Sequence, residues 1–175
     1  MKKVMFLIAF VCIASAFAFD DLDRRTDEIA AIGTRSIILQ DADQAVTAST
    51  TFVATDLTTS VAASQKCKVR FFVPFTLAGT ASGIKFQVNA PASPTAYVSS
   101  VSIIEDDGTV FGNVVTTEGA QGVTIDNAGN HLAIVEATVE NGTTAGSVTL
   151  EFAQNVSDAG AATVLRGGTA DIVKF

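Results

Sequence analysis

From Lys66 to Leu77 the chain alternates with a period of two. Cys67, Val69, Phe71, Val73, Phe75 and Leu77 fall on one side, and Lys68, Arg70 and Thr76 on the other. Side chains of a β-strand point alternately to opposite faces, so this pattern predicts a strand with one face in a core. Ile84–Val88 and Val148–Phe152 alternate in the same way, as do Ala133, Val135, Ala137 and Val139 among their polar neighbours. Pro74 falls on the outward side and predicts an edge or a bulge, because proline cannot donate to a ladder.

Turn signals separate the runs: Gly79–Gly83, Asn89–Pro91, Asp106–Gly108, Asp126–Asn130, Asn141–Gly142 and Gly167–Gly168. Asp107–Gly108 and Asn141–Gly142 are hairpin cues, since both residue types tolerate the turn's positive φ. Many short strands with no helical interval predict an all-β fold: an antiparallel β-sandwich of jelly-roll type with roughly eight to ten strands. Its inner faces are expected to hold Val69, Phe71, Val73, Phe75, Phe86, Val135, Leu150 and Phe152.

The N-terminus reads differently. Lys2 and Lys3 precede an unbroken apolar run from Val4 to Ala14, and Ala16-Phe17-Ala18 follows as a small-x-small cleavage pattern. This is the layout of a secretory signal peptide. The run is shorter than the roughly 20 residues a spanning helix needs, so no stable membrane span is expected after cleavage. The alternative is a buried N-terminal helix. Residues 1–18 are thus expected to be a signal peptide, 19–35 a short helix or flexible tail with Leu22, Ile29 and Ile32 near one stripe, and 36–175 the sandwich domain. The predicted location is secreted, extracellular or virion-associated.

The formal net charge is −7, and no basic stripe interrupts the acidic balance. Such a surface repels the phosphate backbone, so nucleic acid is not an expected partner. Hydrophobic residues make up 48% of the chain and charged ones 17%, which excludes an intrinsically disordered protein. Tyr occurs once and Trp not at all, so the stacking rings common in sugar-binding sites are nearly missing.

Little in the sequence carries catalysis. His131 is the only histidine and follows a turn, which predicts a polar rim or turn residue. A nucleophilic Ser or Cys would need it as base, and no G-x-S-x-G surrounds any Ser. With Cys12 in the apolar run, Cys67 stands alone in the remainder and reads as a small core residue. Glu105, Asp106, Asp107, Glu118 and Glu136 offer carboxylates for paired acid–base work, and Asp106, Asp107 and Asp126 for Ca²⁺, but no D-x-D-x-D-G loop is present. No catalytic, cofactor-binding or metal-binding residue is therefore assigned, no cofactor is expected, and the protein is expected not to be an enzyme. Asn141-Gly142-Thr143 and Asn155-Val156-Ser157 match the N-glycosylation pattern, which matters in a eukaryotic source.

The stretch Thr149–Ala159, followed by Thr163-Val164-Leu165-Arg166-Gly167-Gly168, resembles the end of a β-sandwich module in bacteriophage tail and virion structural proteins. There a strand ends in Ala-Gln-Asn-x-Ser, and a Thr-Val-Leu-x-Gly strand closes the domain. Lys68–Val73 and Gly83–Phe86 suit that module in order and spacing, so the resemblance covers about residues 36–175. The amides of the Ala153-Gln154-Asn155 corner can satisfy backbone groups of the following loop. Thr169-Ala170-Asp171 stands where a bulkier residue is expected. Tail proteins assemble in the cytoplasm, so behind a signal peptide the module would serve an exported protein, viral or cellular. The resemblance implies a structural or interaction subunit of a virion, appendage or surface layer. Its partners would be copies of itself, a trimer being the first expectation, or a cell-surface or virion component. The other class is a secreted domain binding a glycan or a cell-surface receptor.

Overall fold

The computed structural model describes residues 33–79, 83–116, 121–123 and 128–175. The expected signal peptide and nearly all of the expected helix or tail lie outside them, as do Glu118 and Asp126. Residues 34–174 form one compact unit.

The described residues form twelve strands and no helix. They are β1 (Thr34–Leu39), β2 (Gln44–Val46), β3 (Val53–Val61), β4 (Lys66–Leu77), β5 (Ile84–Asn89) and β6 (Ala96–Ile104). There follow β7 (Val110–Val115), β8 (Gln121–Val123), β9 (Gly129–Glu140), β10 (Gly146–Gln154), β11 (Ala162–Val164) and β12 (Thr169–Lys174). β1 begins two residues ahead of the expected domain start at Ser36, so Thr34 and Arg35 are strand.

All pairings are antiparallel, in two sheets. The larger runs β1-β12-β4-β9-β6-β7, with β11 and β2 attached beside the C-terminal half of β4, and the smaller runs β3-β10-β5-β8. Strands β3 to β10 interleave as β3-β10-β5-β8 against β4-β9-β6-β7. This is the jelly-roll order, in which most consecutive strands cross between sheets. The count exceeds the expected eight to ten because β1, β2, β11 and β12 widen the larger sheet beyond β4.

The core lies between the sheets and is built by the alternation that the sequence shows. Every expected inner-face residue, from Val69 to Phe152, is buried. Phe75 of the larger sheet meets Phe86 of the smaller edge to face, with ring centroids 5.8 Å apart. Burial of such rings supplies the main driving force of the fold.

Of three local expectations, one holds and two change. Asp107–Gly108 does close the β6–β7 hairpin, with Gly108 at φ 88°. Asn141–Gly142 instead carries the chain from one sheet to the other, because β9 and β10 belong to different sheets. Asn141 holds that crossing from within: its Nδ2 donates to the carbonyls of Ala62 (2.7 Å) and Thr144 (2.9 Å). Pro74 lies in a strand paired on both sides. It sits where the neighbour of β4 changes from β12 to β11, and its carbonyl accepts from Leu165 N–H at 2.9 Å. A strand residue directs both backbone groups to one side, so the missing donor faces this junction and leaves the β9 ladder intact.

The corner after β10 behaves as its amides suggest. Gln154 is fully buried. Its Oε1 accepts from the N–H groups of Ser49 (3.0 Å) and Asp158 (3.1 Å), and its Nε2 donates to the carbonyls of Asp158 and Gly160. The closing strand is β12, whereas the Thr163–Leu165 stretch supplies only the short β11. Ala170 is buried, so a small residue suits that strand.

Candidate interaction surface

The outer face of the larger sheet is assembled from the even-numbered residues of β4, β6 and β9. Near the Asp106–Gly108 turn these residues are apolar. Phe72 lies opposite Ile134, Pro74 opposite Leu132, and Leu132 also opposite Ile104, which pairs with Val110 of β7. Cross-strand partners on one face stand roughly 5 Å apart, so these six side chains form one contiguous band. All but exposed Val110 are half-buried. An outward apolar band of this kind is the usual mark of a contact surface.

The other half of the same face is charged and paired. Arg70 Nε lies 3.3 Å from Glu136, Lys66 Nζ 3.2 Å from Glu140, and Arg35 grips Asp171 through two bonds of 2.7 and 2.8 Å. The Arg35 guanidinium holds the Asp171 carboxyl below its usual range, and Asp171 in turn raises Arg35. The Arg70 guanidinium rests 4.9 Å from the centre of the Phe72 ring, where the two halves meet. Two shallow depressions mark the charged half. One, of about 200 Å³, is lined by Lys68, Val98, Ser100, Glu136 and Thr138, and another, of about 250 Å³, by Arg70, Asp171 and Val173.

Of the described residues weighed for catalysis, Glu136 alone lies on this face, and Glu105, Asp106, Asp107 and His131 lie at the β6–β7 turn end of the sheet. His131 is not a rim residue: it is 5% exposed, and its ring packs against Phe75 at 5.2 Å. The register that pairs Ile104 with Leu132 puts Glu105 next to His131. Neither ring nitrogen of His131 has a hydrogen-bond partner, nor has Oε1 of the buried Glu105. Asp106 is exposed and sits against Gly129, where an added Cβ would come within 2.9 Å of its Oδ2. Asp107 accepts from Thr109 N–H at 2.8 Å, a turn bond that lowers its pKa. Glu136 is on the outer face with Arg70.

Cys67 pairs with Val139 near the far end of β9, eight residues from His131 and so roughly 26 Å away. Burial pushes its thiol up, with Lys174 opposing weakly, so it is a core residue and not an activated thiol. Among the described residues, no group of three or more His, Cys, Asp or Glu could hold a metal ion. No helix of the described residues is long and apolar enough to cross a membrane. The buried Asn141 amide is committed to two backbone carbonyls, so the folded domain does not offer it to a glycosyl transferase.

The alternating pattern does not predict the outer apolar band, but the sequence carries one signal of it. Phe71-Phe72-Val73-Pro74-Phe75 is apolar without a break. Such a run indicates a strand with apolar contacts on both faces.

No family model matches the chain, and no curated protein matches it. Solved structures with faint likeness include the infectious bursal disease virus Gx strain (9% identity, TM-score 0.24) and the T13 particle of that virus (12%, 0.26). The chain is covered over 81% and 82%, and those chains over only 37% and 39%. TmCBM61 in complex with β-1,4-galactotriose matches at 9% identity and a TM-score of 0.19, over 82% of this chain and 89% of that one. Likenesses this faint carry no argument about what the chain does. Of the resemblance to phage tail proteins, the strand order shows the β-sandwich alone.

Proposed function

We propose that this chain is an exported, non-catalytic structural module that assembles with copies of itself, as a subunit of a virion, an appendage or a surface layer. The contiguous apolar band Phe72–Pro74–Leu132–Ile134–Ile104–Val110 on the outer face carries this reading. Solvent-facing sheet residues are ordinarily polar, and a fixed partner explains why this half is not. A trimer is the first stoichiometry to test. The glycan-binding alternative has no Trp and no exposed Tyr to stack on a sugar: the single tyrosine, Tyr97, is buried and its hydroxyl donates to the Val88 carbonyl at 2.9 Å.

Light scattering across a concentration series tests the proposal, on the wild type and on a Leu132→Lys, Ile134→Glu variant. The wild type is expected to assemble, and the variant to keep its β-sheet circular dichroism and remain monomeric. A strictly monomeric wild type that binds a sugar tightly on a glycan array would replace this reading with the alternative.

A further inference from the structure

The four ends of the two sheets are not treated alike. In the smaller sheet, β3 is disrupted by a register shift opposite Leu150, and Asp56 stands in its middle. The Asp56 N–H is already taken by Gln40 Oε1 at 3.0 Å, and its carboxylate by Gln40 Nε2 at 3.1 Å. The opposite edge, β8, is only three residues long. Bulges, charges and short strands are the means by which proteins prevent edge-to-edge pairing.

Along β1 and β7 the larger sheet has neither a bulge nor an unpaired charge. Each has six residues, without proline or acidic residues, and the one charge, Arg35, is engaged by Asp171. Ile37 and Leu39 on β1 are 65% and 56% exposed, and Val110 and Val114 on β7 are 62% and 64% exposed.

The free backbone groups of both edges can be identified. Gln40 N–H donates to Gly168, and its carbonyl accepts from Gly167, so even-numbered β1 residues face β12. Arg35, Ile37 and Leu39 therefore turn their N–H and C=O outward. In the β6–β7 hairpin, Glu105 N–H donates to Thr109, which puts odd-numbered residues in the bonded pairs. Val110, Gly112 and Val114 are left facing outward, and among the described residues only the Val114 N–H is occupied, by its neighbour's Asn113 Oδ1 at 2.8 Å.

Successive antiparallel pairings from β1 through β12, β4, β9 and β6 make β1 and β7 run in opposite directions. A second copy placed beside the first in the same orientation thus offers its β1 antiparallel to β7. Pairing Leu39 with Val110, Ile37 with Gly112 and Arg35 with Val114 matches outward backbone groups, all free except the Val114 N–H that Asn113 holds. It also adds Leu39 to the end of the apolar band at Val110. We propose that β1 of one copy pairs with β7 of the next, continuing the larger sheet between subunits. This rests on the self-association proposed above and adds a sheet-edge contact to the facial one through the apolar band. One contact uses both open edges, whereas pairing β7 with β7 leaves β1 bare. Such a head-to-tail contact closes into a ring or extends into a filament.

The test mixes full-length Ile37→Cys and Gly112→Cys proteins under oxidising conditions. Bonded antiparallel partners have Cα atoms about 5.5 Å apart, within disulfide reach. Disulfide-linked heterodimers are expected, with far less linkage when either protein is oxidised alone. Val110→Pro, which removes an outward donor and no β6–β7 bond, is expected to abolish assembly while keeping the circular dichroism spectrum. Linkage of Gly112→Cys with itself would overturn the inference in favour of a two-fold β7 contact. Assembly by light scattering with no heterodimer and no effect of Val110→Pro would overturn the edge contact but leave self-association standing. A wild type that is monomeric at every concentration would overturn both.

Discussion

Replacing Gln154 with leucine removes a buried amide that ties three segments together. Leucine has a similar volume and none of the polar atoms. Four hydrogen bonds vanish, to Ser49 N–H, Asp158 N–H, Asp158 C=O and Gly160 C=O. A net contribution of about 1 kcal/mol per bond, lessened by the apolar gain of leucine, leaves an expected loss of about 3 kcal/mol. Asp158 C=O keeps its bond from Ala48 N–H, so the damage concentrates on the N–H groups of Ser49 and Asp158 and the carbonyl of Gly160. Urea unfolding followed by far-ultraviolet circular dichroism measures the loss. Gln154→Glu is the comparison: it sets a carboxylate oxygen against the carbonyls of Asp158 and Gly160 in a fully buried site, so it should lose at least as much as leucine. A leucine variant within about 1 kcal/mol of wild type would refute the reasoning, since unmade buried bonds cost more than that.

Three other outcomes follow from buried or paired groups. His131→Phe should leave stability unchanged or raise it by about 1 kcal/mol, because both ring nitrogens are buried without partners; urea unfolding reads this, and a loss above about 2 kcal/mol would contradict it. Cys67 should resist a thiol reagent in the folded protein and react fully in denaturant, because it is buried and its pKa is raised; rapid native labelling would contradict that. Asp171 is held below its ordinary pKa by Arg35, so its stabilising contribution is complete above the unfolded aspartate value and disappears as the pH falls through the lower folded one. Asp171→Asn should therefore be less stable than wild type at neutral pH and equal to it in strong acid, as urea midpoints at several pH values would reveal.

The inner half of this fold was legible and the outer half was not. Alternation from Cys67 to Leu77 places each inward residue, because side-chain direction is local and the core accepts only apolar groups. The Asp107–Gly108 hairpin is local too. Asn141–Gly142 has the same chemistry yet crosses between sheets, because what decides is the pairing partner of the following strand, and that partner is distant in sequence. The Gln154 corner could be read from its amides, but Gln40, which ties β1 to Asp56 of β3, carries no local signal. The turn before His131 predicts a rim residue; its position opposite Phe75 follows from a register between distant strands. The open edges depend on sheet order, which composition and periodicity do not encode.

Hydrogen exchange at single amides, in dilute and concentrated full-length protein, tests the central claim of edge-paired assembly most directly. The amides of Arg35, Ile37, Leu39, Val110 and Gly112 should exchange fast when dilute and become protected on concentration, while those of Ser36, Ile38, Phe111 and Asn113 change far less. Edge amides that stay unprotected where light scattering reports oligomers would contradict the account.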